Sequence, residues 1–482
     1  LNGHARISLA MVDPWDVEAI DHVQRETRRR VEPLLASESG LHSSLERAYH
    51  ASQNDAHSEA MSETIELASL DSLDLIVPDE SEIDLGDTMR QGEQAPVIRF
   101  VNTLFSEAVR RRTSDIHIEP RKKDFLIRYR IDGQLQTIKT VPRNLHAATV
   151  SRIKILGEMD IAERRLPLDG RIALRVEGKN IDLRVSTLPT MFGESVVIRI
   201  LDRKVVNLDI EKIGFPEEQL AYFKEVIQRP NGIVIVTGPT GSGKTTTLYS
   251  ALSAVNSPEV KIITTEDPVE YEINGLIQVP VDEDVGRSFA NCLRAILRQD
   301  PDIVLVGEAR DKETAQIAIQ ASLTGHLVFT TLHTNDAPTA VSRLIDMGCE
   351  PFLLAATLET ICAQRLVRTI CTKCKTPYEP SEEELMQLSI KSRDVANQRF
   401  YYGKGCDNCK NTGYKGRTAL FELMDINDIL RELILNKASA SALRIAAQRG
   451  GMRTLRDAGI QKIFAGLTTI EEVVRETLAV ED

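Results

Sequence analysis

Apolar residues recur at helical spacing at Val97, Phe100, Val101, Leu104, Phe105 and Ala108, and apolar–polar alternation follows in Asp115-Ile-His-Ile-Glu119 and Phe125-Leu-Ile-Arg-Tyr-Arg130. A period near 3.6 that gives way to a period of 2 predicts a helix followed by strands. With further strands at 181–185 and 196–201, residues 96–204 read as an α+β domain. Residues 205–214 lie between two patterned regions and read as a short hinge. Over 215–365 short apolar runs such as 233–236 and 303–306 alternate with helical patterns, the signature of a parallel sheet covered by helices. A cysteine-bearing module follows at 366–417 and a helical domain at 418–482. In the latter, Ile426, Ile429, Leu430, Leu433 and Ile434 mark one apolar face, and Thr468-x-x-Glu471 reads as a capping box opening the last helix. At the other end, residues 1–50 read as the remnant of an N-terminal partner-binding domain. Residues 51–95 carry twelve acidic residues against the single base Arg90 and read as a mobile linker.

Composition narrows the class. The 482 residues are 42% apolar and 27% charged, ordinary globular usage for a chain of several domains. No apolar run approaches the roughly 18 to 20 residues needed to span a bilayer. The net charge of −12 argues against a general nucleic-acid or anionic-lipid binder. Any membrane association is therefore expected to be indirect, through a protein partner. The chain opens at Leu1 without a basic-then-apolar leader, which reads as a cytoplasmic protein whose true beginning is missing.

The seven cysteines all lie at or after Cys292, and four form two CxxC pairs, Cys371/Cys374 and Cys406/Cys409, with 31 residues between the pairs. That spacing suits tetrahedral Zn²⁺ held by four sulfurs. Glycines around the second pair, in Gly405-Cys-Asp-Asn-Cys-Lys-Asn-Thr-Gly-Tyr414, allow tight turns about a metal. The competing readings are a set of buried free thiols and an ancestral knuckle that no longer holds metal. Cys292, Cys349 and Cys362 sit in apolar helix-like patterns and read as core.

One segment carries unmistakable chemistry. Gly238-Pro239-Thr240-Gly241-Ser242-Gly243-Lys244-Thr245 fits GxxxxGK[ST] after an apolar strand and before a helical pattern, with Thr246 next in line. Such a loop turns backbone N–H groups inward around the phosphates of ATP. Lys244 reaches the β/γ-phosphates, and the Thr245 hydroxyl holds Mg²⁺. Asp302-Ile-Val-Leu-Val-Gly-Glu308 delivers Glu308 to the end of a second strand as a water-orienting residue or general base. Gly307 stands where an aspartate usually holds the metal, so another acid must help. Thr264-Thr-Glu-Asp-Pro-Val-Glu270 offers three, of which Glu266, at a strand end, is the first choice. His326 and His333 bracket the strand-like run 327–331 and are candidates for sensing the γ-phosphate.

Taken in order, Thr-Gly-Pro-Thr-Gly-Ser-Gly-Lys-Thr-Thr, Thr-Glu-Asp-Pro-Val-Glu, Leu-Arg-Gln-Asp-Pro-Asp with Val-Gly-Glu, and Thr-Leu-His-Thr-Asn-Asp resemble the boxes of the secretion superfamily ATPases. The cysteine pairs and the long N-terminal portion resemble the type II secretion ATPases (GspE/EpsE) and the pilus-assembly ATPases (PilB) within it. The resemblance implies an α/β fold: a RecA-like P-loop core, a preceding PAS-like α+β domain, a tetracysteine zinc module and a helical C-terminal domain. It also implies a homo-hexamer bound to inner-membrane machinery, a GspL-like tether and a GspF-like platform protein. By motif, Arg184 and Arg199 match arginines that reach phosphates from the N-terminal domain, and Arg294 and Arg298 match arginines of the core. Salt bridging within their own domains is the competing reading for all four. Type IV pilus assembly is the nearest alternative function; a DNA-translocating motor and a slow nucleotide-dependent scaffold are the others.

Overall fold

The computed structural model describes residues 6–11, 20, 23–24, 30–36, 73–75, 96–176, 179–202, 208–390, 395 and 398–477. Most of the expected N-terminal remnant and linker, and residues 205–207 of the expected hinge, lie outside these. Strands β1 (Arg6–Met11) and β2 (Arg30–Leu35) pair in parallel. β3 (Leu73–Leu75), within the acidic stretch, is an edge strand of the next domain.

That domain runs α1 (Pro96–Arg110), β4 (Thr113–Pro120), β5 (Asp124–Ile131), β6 (Gln134–Pro142), α2 (His146–Leu156), β7 (Leu168–Val176), β8 (Lys179–Thr190) and β9 (Gly193–Asp202). Its antiparallel sheet has the order β3-β7-β8-β9-β4-β5-β6. One face is apolar. Ile116, Ile118, Ile127 and Tyr129 pack under Val101, Leu104 and Phe105 of α1 and Val150 and Ile153 of α2. The buried Tyr129 hydroxyl is satisfied by donating to the Leu104 carbonyl at 2.7 Å.

The core follows with α3 (Glu217–Val226), β10 (Gly232–Thr237), α4 (Lys244–Val255), β11 (Ile262–Glu266), β12 (Leu276–Pro280), α5 (Phe289–Ile296), β13 (Ile303–Val306), α6 (Lys312–Leu323), β14 (Leu327–Leu332), α7 (Ala337–Asp346), α8 (Pro351–Thr357) and β15 (Leu358–Ile370). Every residue of β10 is buried. Because side chains alternate along a strand, Ile233 and Ile235 enter the layer that includes α5, α6 and α7, while Val234 and Val236 enter the layer that includes α3 and α4. That two-sided burial is why the run reads as uninterrupted rather than alternating.

β16 (Lys375–Tyr378), α9 (Glu382–Gln387) and β17 (Phe400–Gly403) lead to β18 (Tyr414–Asp425), which pairs antiparallel with β15 from Thr360↔Asp425 to Ile370↔Tyr414. The core sheet therefore has the order β12-β11-β13-β14-β10-β15-β18. The domain boundaries expected at 365/366 and 417/418 cut through β15 and β18. The cysteine module is an insertion between two core strands, and the first residues of the expected helical domain belong to the sheet. The physical reason is continuous ladder pairing, which a break in composition does not reveal.

The last described elements are α10 (Asp428–Leu435), α11 (Ala440–Arg449), α12 (Leu455–Phe464) and α13 (Ile470–Glu476). Leu430 and Ile434 are buried, whereas Ile429, counted on the same face, is 65% exposed. The last helix is capped by Thr469, which accepts from the Glu472 N–H, and not by Thr468. The Thr468 hydroxyl donates instead to the Arg368 carbonyl at 2.8 Å, and the Glu472 carboxylate turns inward to Arg368 at 2.6 Å. The same arginine stacks over Tyr414, 3.9 Å from the ring centre, and donates to Gln134 at 2.7 Å. Together with the Gly416 N–H on Asp132, 3.1 Å, this seats the β5–β6 turn of the α+β domain on the base of the cysteine module.

A buried carboxylate joins the core to the C-terminal helices. Glu422 on β18 accepts the first N–H of α7, Ala337, at 2.8 Å and the first N–H of α12, Leu455, at 3.2 Å. Burial outweighs these two donors and pushes its carboxyl up to about 7. Between the ordinary glutamate value of 4.5 and about 7 the folded chain keeps a proton that the unfolded chain releases, so this group subtracts stability as pH rises through that window. At about 1.4 kcal/mol per pH unit, the loss is on the order of 3 kcal/mol. Glu422→Gln is expected to reduce the drop in thermal midpoint between pH 5 and pH 8. An undiminished drop in that variant would rule the assignment out.

Candidate functional site

β10 runs parallel to β14, Gly232↔Leu327 to Thr237↔Leu332, and to β15, Thr237↔Ala363. The chain leaves β10 at the carboxyl edge of the sheet and turns at once into 238–243 before α4 begins at Lys244. Gly238 has φ +149°, and a Cβ there would lie 2.5 Å from the Gln364 carbonyl oxygen. The loop is thus pressed against β15 so closely that only glycine fits. Gln364 completes the buttress by accepting from the Thr247 hydroxyl at 2.8 Å. Pro239, Thr240 and Gly241 are exposed, and Lys244, Thr245 and Thr246 are half-buried on the first turn of α4. The Ser242 hydroxyl is buried without a hydrogen-bond partner among the described residues.

Lys244 folds back on its own loop, donating to the carbonyls of Gly238, 2.7 Å, and Pro239, 3.1 Å. Burial brings its ammonium down to about 8, against the pull of Glu308 and with a push from Arg365. Arg365 is itself buried and bonded to carbonyl oxygens, those of Gln364 at 3.3 Å and Asn335 at 3.2 Å among them.

Glu308 lies just past the end of β13. Its carboxylate accepts from Arg310 at 2.8 Å and stands 3.2 Å from the His333 ring. On the neighbouring strand, Glu266 sits beside Gly307, whose own Cβ would be 3.3 Å from the Glu266 Cα. Glu266 is buried and accepts from Thr264, 2.6 Å, Gln278, 3.2 Å, and the Tyr249 hydroxyl of α4. Three donors leave its carboxylate about one further acceptor position.

The structure separates the two histidines. His333 stands at the carboxyl edge with Glu308, whereas His326 precedes β14 at the opposite edge, bonded through Nδ1 to Ala321 and Thr324. A parallel strand carries its two ends to opposite rims, so within one chain they do not converge. The four arginines divide as well. Arg184 crosses from the α+β domain to the core, bonding the Val269 carbonyl at 3.0 Å and lying 3.6 Å from Glu270. Arg199 pairs with Asp115 of its own domain at 3.2 Å, and Arg294 pairs with Glu313. Arg298 is exposed.

Gln364, Arg365, Arg310 and Tyr249 were not singled out from the sequence. The available signal was polarity inside apolar runs: Gln364 and Arg365 interrupt an otherwise apolar strand, and Tyr249 falls on the inner side of the P-loop helix.

The second constellation is the tetracysteine cluster. The Sγ atoms of Cys371, Cys374, Cys406 and Cys409 all lie within 4.8 Å of one another, with separations of 3.9 Å for 371–406, 3.8 Å for 374–409 and 3.7 Å for 406–409. A tetrahedron with metal–sulfur bonds of about 2.3 Å has edges of about 3.8 Å, so the donor set fits. Asn408 donates to Cys371 Sγ and the Gly413 N–H to Cys409 Sγ, each at 3.3 Å, bonds that favour thiolates. Gly413, with φ +80°, would place a Cβ 2.3 Å from the Gly403 carbonyl oxygen, so the turn closes only with glycine. Cys292, Cys349 and Cys362 are buried in the core.

Comparison with known proteins supports this architecture. Residues 90–475 match the family model described as Type II/IV secretion system protein, and residues 3–55 match the MshEN domain. Type II secretion system protein E of Xanthomonas campestris pv. campestris is 46% identical over 473 residues, 98% of this chain and 81% of that protein. Type IV pilus assembly ATPase PilB of Myxococcus xanthus is 45% identical over 471 residues, 97% of this chain and 82% of that protein. Among solved structures, the pilus retraction motor PilT with bound ADP aligns at 26% identity over 78% of this chain and 96% of that chain, with a TM-score of 0.53. The RecA-like core, the α+β domain before it and the match over most of the length agree, and the chain belongs to the Type II/IV secretion system protein family.

Proposed function

We propose that this chain is an ATP-hydrolysing motor of type II protein secretion, acting as a homo-hexamer on the cytoplasmic side of the inner membrane. The observation that carries the reading is the carboxyl edge of the core sheet, where the glycine loop, Lys244 and Glu308 meet. The loop and the first turn of α4 offer N–H groups to phosphate oxygens. Lys244 exchanges two loop carbonyls for a phosphate, a stronger charge-assisted bond. Glu308, held between Arg310 and His333, orients the attacking water or takes its proton. Mg²⁺, when bound, neutralises charge on the triphosphate. Thr245 offers its hydroxyl to that ion, and Glu266 supplies negative charge beside Gly307, where the strand has none.

Arg184 already rests on the 264–270 segment, so small closure of the α+β domain brings it towards the site. Arg199, Arg294 and Arg298 match the family's arginines by motif alone, and to reach phosphate Arg199 and Arg294 must first leave Asp115 and Glu313. His326 belongs to the opposite rim and is left out of the set. The tetracysteine module holds Zn²⁺ as a structural element, since four sulfurs leave no open coordination position. No helix among the described residues is long and apolar enough to cross a membrane. Attachment through a GspL-like tether and a GspF-like platform is the expected arrangement. Pilus assembly is the second reading, favoured by the PilB relative at 45% identity.

The reading is tested by ATPase rates of the purified chain alone, with DNA, and with phospholipid plus the cytoplasmic domain of a tether protein. Stimulation by the tether and lipid is expected; stimulation by DNA alone would overturn the reading. Glu308→Gln should bind ATP with near-normal affinity while turnover falls at least about a hundredfold, as loss of a general base does. Near-normal turnover in that variant removes Glu308 from its role.

Lys244 sets a pH dependence. Its depressed value of about 8 means that the free site loses the ammonium above pH 8, whereas bound phosphates retain it. The ATP dissociation constant should therefore rise above pH 8, towards roughly a tenfold change per unit. Fluorescent-nucleotide titration from pH 7 to 9.5 reads this, and a flat profile contradicts it.

Elemental analysis of protein purified without chelators should find one zinc per chain. Cys371→Ser should lose the metal and lower the thermal midpoint. A metal-free wild-type protein with an unchanged midpoint would exclude a structural zinc site.

A further inference from the structure

We propose that Tyr249 is a positioning residue for ATP hydrolysis. Its hydroxyl ties Glu266 to the P-loop helix and to the segment on which the α+β domain rests. The inference builds on the reading that Glu266 serves the reaction.

Tyr249 lies on α4, five residues after Lys244, and its side chain is completely buried. A phenol in such a place must satisfy its hydroxyl. It donates to Glu266 Oε2 and accepts from the Glu270 N–H at 3.4 Å, while the Gln278 amide, also at 3.4 Å, shares one N–H between this hydroxyl and Glu266. Burial and then the Glu266 charge push the phenol well above its ordinary value, so it stays a donor across the whole working pH range. Gln278 is itself fixed by the Tyr271 carbonyl at 2.9 Å and the Ile273 N–H at 2.8 Å. A single oxygen thus joins three bodies: the helix that begins with the phosphate-binding lysine, the strand end carrying Glu266, and the 269–273 backbone.

The third body is the one the α+β domain touches. Arg184 bonds the Val269 carbonyl and approaches Glu270, whose N–H is on the Tyr249 hydroxyl. Displacement of α4 on nucleotide binding, or of the segment by Arg184, is transmitted to Glu266 through bonds only one step long. Tyr249 reaches neither Lys244 nor the loop carbonyls that hold it, so it acts on the position of the carboxylate and not on nucleotide affinity.

The test is a double-mutant cycle in the full chain, assembled as it functions. Tyr249→Phe keeps the ring and removes one oxygen. It is expected to lower kcat roughly tenfold or more, with KM for ATP changed less than about twofold, and to add nothing further in a Glu266→Gln background. Thr264→Val, which removes a different donor to the same carboxylate, should behave alike and serves if the phenylalanine variant folds poorly. A rise in KM with kcat unchanged, no effect of Tyr249→Phe while Glu266→Gln is inactive, or fully additive losses would each overturn the positioning role alone. If Glu266→Gln itself keeps normal kcat, the assignment of Glu266 fails and the role of Tyr249 falls with it.

Discussion

Because β10 pairs in parallel with both β14 and β15, the chain leaves the sheet at the edge where β11, β13 and β14 also end. Lys244, Glu266, Glu308 and His333 therefore converge although they are far apart in sequence. The same pairing presses the glycine loop onto Gln364, one residue past the end of the β10–β15 ladder. Side-chain-free glycine at 238 is thus a packing requirement of the sheet as much as a phosphate-binding device. Pairing and chemistry select the same residue, and neither alone explains it.

The two carboxylates at this edge are held by different physics. Glu308 stands between a guanidinium and an imidazole, in a geometry that leaves it accessible at the rim. Glu266 is buried among neutral donors, with Tyr249, Thr264 and Gln278 each contributing one hydrogen bond. Such a carboxylate is costly to bury and correspondingly rigid once satisfied. One acid is placed to exchange protons with water and the other to hold charge still. Gly307 lies between them because a side chain there would crowd the backbone at Thr265 and Glu266.

Elsewhere the fold uses buried polar groups as mortar between parts of different architecture. Arg368 binds the last helix, an aromatic of the cysteine module and the β5–β6 turn at once, and Glu422 caps two helices from a core strand. Removing one partner of the buried Arg368–Glu472 pair would leave the other charge uncompensated, at a cost of about 3 to 5 kcal/mol. The cysteine cluster inherits its position from the same frame, since it closes the loop between two paired core strands. Its sulfurs meet at metal-binding distances because β15 and β18 bring both ends of the 371–413 insertion together.

Much of this was legible in the sequence. Glycine spacing, strand-end acids and CxxC pairs are local patterns, and local patterns survive without tertiary information because backbone geometry enforces them over a few residues. Periodicity located α1, β4, β5, β10 and β13 for the same reason. What depended on the third dimension was every fact about pairing. The boundaries at 365 and 417 fell inside strands because ladder partners are distant in sequence. Ile429 proved exposed and Thr469 replaced Thr468 as a cap, since a one-residue rotation on a helix is decided by what packs against it. His326 and His333 flank one strand and looked equivalent, yet only strand direction within the sheet tells which rim each occupies. Tyr249, Gln364 and Arg365 stayed hidden because burial gives a polar residue its meaning only through partners. Those partners lie 17 residues away for Tyr249 and Glu266, and 117 for Thr247 and Gln364. Residue order alone was enough to locate the phosphate-binding loop, the candidate metal ligands and the strand-end acids. Which of them face one another waited on the fold, because hydrogen-bond partners and charge neighbours are set by strand order and direction, which no local window contains.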